Sequence, residues 1–106
     1  MNVGLPHERL TQLISRFGST AIESRQIAKR LHDLLPSRLA ELKREHSRRP
    51  GGGGSRAERE ALVDERFAKH VDEYVSIQSR SIEARIQYET HAMLFKARQS
   101  LRAFRR

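Results

Sequence analysis

The chain has 106 residues, no cysteine and a formal net charge of +8, with 37% apolar and 32% charged residues. These figures allow one domain at most, leave little material for a large core, and exclude disulfides, thiolate metal sites and cysteine nucleophiles. No apolar run reaches the 18 residues of a membrane span, and the start MNVGLPHERL has no signal-peptide core, so a cytoplasmic protein is expected.

The first predicted element is an amphipathic helix over about 7–47. Pro6 suits its first turn, where the missing amide costs nothing. Leu10, Leu13, Ile14, Phe17, Ala21, Ile27, Ala28, Leu31, Leu34 and Leu35 recur in steps of three and four. Gly18 weakens the run by about 1 kcal/mol relative to alanine. Leu10, Leu13, Phe17, Ala21 and Ala28 keep one face across it, so the helix is expected to continue. Pro36 is a stronger break, costing roughly 3 kcal/mol inside a helix. Leu39 and Leu42 carry the apolar spacing on, and Ser37 can cap a fresh start. A kink or restart at Leu35–Ser37 is expected.

Arg48-Arg49-Pro50 and four glycines to Gly54 form the one clear loop. Its composition is flexible, and GGGGS reads alike as a native loop or an engineered linker.

From Ser55 to Phe104 there is neither proline nor glycine, a run of about 50 residues. Ser55 and Glu58 have capping-box spacing. A helix over about 55–104 follows. It would be roughly 75 Å long against roughly 60 Å for the first arm. The expected fold is all-α: an antiparallel helical hairpin with one very long C-terminal helix, pairing into a dimeric bundle. An apolar stripe runs through Val71, Val75, Ile82, Ile86, Met93 and Phe104. A second strip, about 120° round, holds Tyr74, Ile77, Tyr88, Ala92 and Phe95. One neighbouring arm covers only one such face.

Nothing suggests catalysis. The five histidines are scattered without metal-ligand spacing. No serine sits in a nucleophile elbow, and the glycine run lies between helices, so it is no phosphate cradle. Asp64/Glu65 and Asp72/Glu73 fit a solvated face. No enzyme activity, metal, cofactor, membrane partner or small-molecule substrate is expected. Three features point instead to macromolecular partners. Tyr74, Ile77, Tyr88 and Phe95 are the aromatic-rich candidates for a contact surface. Gln78, Arg85 and Glu89 form a polar cluster within the apolar arc, suited to fixing register. Lys96, Arg98, Arg102, Arg105 and Arg106 form a basic end with no acid among residues 90–106. An antiparallel self-pair would lay that end on the acidic start of the second helix, Glu58 to Glu65. The runner-up is nucleic-acid binding, for which a basic end is the electrostatic footprint.

Two short resemblances accompany this pattern. The outline is similar to small secreted helical hairpins with a Trp-x-Gly turn, although this chain has no tryptophan and Pro50–Gly54 at that place. Ile82-Glu83-Ala84-Arg85-Ile86, with Leu35-Pro36 upstream, resembles small two-helix quorum-sensing antiactivators over that handful of residues. The second resemblance implies a protein that sequesters a transcription factor. The expected function is a non-enzymatic protein–protein interaction module: an adaptor, chaperone or regulatory antagonist that packs helix on helix with itself or another protein.

Overall fold

The computed structural model describes residues 5–51 and 53–105, with Arg105 described in its backbone only. These residues form three helices and no strand: α1 is His7–Ser47, α2 is Gly54–Leu62 and α3 is Glu65–Arg105. α1 and α3 pack against each other as an antiparallel hairpin, with the long C-terminal helix that the sequence predicts.

α1 begins where Pro6 places it: the Leu10 amide donates to the Pro6 carbonyl at 2.9 Å. The helix runs unbroken through Gly18 and through Pro36, so the expected restart at Ser37 does not occur. The Ser37 hydroxyl donates back to the Leu34 carbonyl at 2.9 Å instead of capping a new helix. Pro36 lies on the exposed side. There the carbonyl it leaves without an amide partner can turn to water.

The second arm is two helices, where the sequence suggests one. Ser55 lies inside α2 and caps nothing: the N-cap is Gly53, with no side-chain cap. Positive φ at Gly51 (74°) and Gly54 (55°) is the left-handed backbone that glycine adopts without strain. The break after Leu62 is made by Asp64. Its Oδ1 accepts the Arg66 amide at 2.9 Å, and its carbonyl accepts the amides of Phe67 and Ala68. Asp64 is therefore the N-cap of α3.

The helices divide into two compact units. Unit one joins the start of α1, up to Arg25, to α3 from Ser79 onward. Its interior follows a seven-residue period, the spacing of a left-handed two-helix seam. Leu10, Phe17 and Ser24 form one row on α1, beside Ile14 and Ala21. On α3 the rows are Ser81, Tyr88, Phe95 and Ala84, His91, Arg98. Leu10 is fully buried; Ser24, Ser81, Ala84 and His91 are buried as well. The contacts set the register: His7 lies on Phe95 at 5.4 Å between ring centres, Phe17 stacks on His91 at 5.4 Å, and the Ser81 hydroxyl reaches the Ala21 carbonyl at 3.3 Å. Tyr88 lies over Gly18. A Cβ there would lie 3.2 Å from the Tyr88 ring.

Unit two holds the rest of α1, all of α2 and α3 up to Gln78. Its buried apolar residues are Ala28, Leu42, Ala57 and Ala61. His32 lies against Tyr74, with ring centres 5.3 Å apart. Mostly alanine at these crossings lets the helix axes approach closely. The polar tie is His46, buried at the end of α1. Its Nδ1 meets Glu60 Oε2 at 3.1 Å and its Nε2 meets Asp64 Oδ2 at 2.8 Å. Arg66 bonds Asp64 at 2.9 Å and Glu45 at 2.8 Å. At the end of α1 it is thus His46 that meets acids of the second arm, Glu60 and Asp64. One pair, Arg66 with Glu45, has the opposite polarity.

This cluster makes unit two acid-sensitive. Side-chain and backbone hydrogen bonds from Arg66, with His46 beyond, hold the Asp64 carboxyl far below its ordinary range. Glu60 is lowered too, chiefly by Arg56. A carboxyl lowered in the folded state contributes stability above its unfolded value, and that stability is lost as pH falls towards the folded value. Unfolding followed by circular dichroism should therefore show stability falling as pH drops below about 4, the ordinary carboxylate range. Asp64→Asn, which keeps a capping oxygen, should show a shallower fall, with Glu60 supplying what remains. An equally steep fall in the variant would contradict the assignment.

Candidate interaction surface

The two apolar strips of α3 meet different fates. Tyr74, Ile77 and Phe95 are half-buried, and Tyr88 is partly covered by α1 at Gly18. Tyr74 and Phe95 contact rings of α1. The aromatic-rich strip, named from the sequence as the contact surface, is therefore partly used inside the two units, with Tyr88 still 39% exposed. The outward face is the other stripe. In unit one it consists of Ile82, Ile86 (54% exposed), Met93 (71%) and Phe104 (90%). In unit two Val75 is exposed on the same helix.

The physical reason is the period. Ile82, Met93 and Phe104 are spaced by eleven residues, which keeps them along one line of a nearly straight helix. The seven-residue rows drift round the helix and follow the neighbouring arm. Exposed apolar side chains at scattered points are ordinary. Four within about 40° on one helix form a stripe.

The polar cluster lies beside this stripe. Arg85 and Glu89 approach to 4.0 Å, and their side chains are 65% and 63% exposed. Such a pair contributes little by itself. Gln78 belongs to unit two and is half-buried. The cluster is not brought together in one interior. Of the basic end, Lys96 and Arg102 are exposed and Arg98 is half-buried with a partner; Arg106 and the side chain of Arg105 lie outside the described residues.

A second feature of unit one could not be read from the sequence. A groove of about 600 Å³ runs between α1 and α3. Its floor is Leu13, Phe17, Ala84 and His91. Its rims carry Arg9 and Arg16 from α1, and Arg80, Glu83 and Gln87 from α3, with Thr20 at one end. Arg9, Arg16 and Arg80 form no ion pair among the described residues. His91 is held in place by its Nδ1–H donating to the Gln87 carbonyl at 2.6 Å and by Phe17 stacked on its ring. The only sequence signal was the seven-residue spacing of Arg9 and Arg16, which puts both on one side of α1.

Among the described residues no group of three or more His, Cys, Asp or Glu is placed to hold a metal ion. Nor, among these residues, is any helix long and apolar enough to cross a membrane. No family model matches the chain, and no characterised protein or solved structure matches it either.

Proposed function

We propose that this chain is a non-enzymatic interaction module that works by helix-on-helix packing and pairs with a second copy of itself through the outer stripe of α3. The observation that carries this is the exposed row Ile82, Ile86, Met93 and Phe104 on a helix whose aromatic strip is partly packed against α1. Water against that row is unfavourable by about 25 cal/mol per Å² of apolar surface.

A second copy fits by spacing. An antiparallel pair centred on Met93 sets Ile82 opposite Phe104 of the other copy. It also brings Glu89 beside Lys96, twice by symmetry. A two-fold pair of this kind uses one patch on both copies. The Arg85–Glu89 cluster would then fix the register, as the sequence suggests. A regulatory antagonist or adaptor is the biological role that suits a small module that packs helix on helix.

Self-association links stability to concentration, because only the folded chain pairs. The thermal midpoint should rise as the chain is concentrated from micromolar to millimolar. A midpoint independent of concentration would overturn the self-pairing.

One observation favours the second reading, nucleic-acid binding. Residues 1–25 and 79–106 carry ten Lys/Arg against four Asp/Glu, most of the net +8. Binding to phosphates would weaken steeply with salt, whereas apolar packing would not.

A further inference from the structure

We infer that the arginine-rimmed groove of unit one is a docking site for an acidic amphipathic helix of a partner protein. This rests on the chain acting by helix packing, and it names the partner of a face that self-pairing leaves open. Ala84 and His91 on the groove floor lie on the side of α3 away from Ile82 and Met93. The two surfaces can therefore be filled at once.

The shape indicates the occupant. Leu13 and Phe17 on α1 and Ala84 and His91 on α3 line the floor along both helix axes. Arg9 and Arg16 stand two turns apart on one rim, roughly 10 Å along the axis. A third helix laid lengthwise would seat its apolar side chains on this floor, the usual helix-in-groove arrangement. Carboxylates at seven-residue intervals on that helix would meet Arg9 and Arg16 in turn. Arg80 faces it from the other rim.

The charge indicates its sign. Among the described residues, three guanidiniums without carboxylate partners line the groove against the single acid Glu83. Arginine pairs with a carboxylate through two parallel hydrogen bonds and is common among the side chains that carry binding energy. A second copy would bring its own positive excess to this rim, and like charges disfavour that match.

The test uses the full chain and a synthetic helical peptide of about 20 residues, with leucines at three- and four-residue steps and glutamates at seven-residue intervals on both flanks. A second peptide has the glutamates replaced by lysine. Titration calorimetry should show binding of the acidic peptide and none of the basic one. Arg16→Glu with Arg80→Glu should weaken binding at least about tenfold, while circular dichroism shows unchanged helicity. Binding should also weaken as salt rises. Ile86→Lys with Met93→Lys, on the opposite face, should leave peptide binding unchanged even if self-pairing is lost. This separates the failure of one surface from that of the other. No binding of the acidic peptide by the parent chain, or equal binding by the double-arginine variant, would overturn the docking site. Binding of a single-stranded oligonucleotide in preference to the peptide, lost in the same arginine variant, would overturn it in favour of a phosphate groove.

Discussion

Leu10→Ala should destabilise the chain by about 3 kcal/mol, within the usual range for a fully buried leucine cut back to alanine. Leu10 is the largest fully buried side chain, with no exposed surface. Its neighbours in unit one are ill suited to closing the space. At its level of the seam the rings are already engaged: His7 lies on Phe95, and His91 is held by its hydrogen bond to Gln87 and by Phe17. A cavity there would persist. The substitution itself costs no helix propensity, since alanine is the best helix former, so the loss reports packing alone. Denaturant unfolding measures it. A change under about 1 kcal/mol would mean that Leu10 is not enclosed as described.

Ile86→Lys with Met93→Lys should abolish self-association while leaving the helices intact. Both side chains are more than half exposed in the single chain. Lysine therefore costs little there, and its helix propensity is good. In the proposed pair each apolar side chain is buried, worth roughly 1.5–3 kcal/mol apiece, and two-fold symmetry counts each twice. Four lysines would then face one another across the seam. The affinity should fall by several orders of magnitude, and the thermal midpoint should no longer depend on concentration. The contrasting variant is Tyr88→Ala with Phe95→Ala. Those side chains pack within unit one, so their loss should lower stability first and association only as a consequence.

The all-α hairpin was legible because its signals are local. Residues three and four apart mark the helices, and Pro50 with the glycine run marks the turn. The end of α1 at Ser47 falls where the spacing stops. Of the kink or restart expected at Leu35–Ser37, the restart does not occur: the proline faces water, and helix runs on both sides. The break before α3 was missed because neither glycine nor proline makes it. Asp64 does, through a cap and through partners 18 residues upstream and two downstream.

Both strips of α3 were visible in the sequence, but not which one turns inward. The period decides it, seven against eleven. Polar Ser81 and His91 in the inner rows disguised the seven-residue seam. The groove was out of reach for a different reason. Arg9 and Arg16 meet Arg80 only once the register between two helices is fixed, and that register depends on contacts such as Phe17 on His91.

Sedimentation equilibrium on the parent chain bears most directly on the proposed pairing. The account predicts a mass of twice the 12.3 kDa chain at high micromolar concentration, falling towards one chain on dilution and held at one chain in Ile86→Lys with Met93→Lys. A single 12.3 kDa species across the whole concentration range would contradict it.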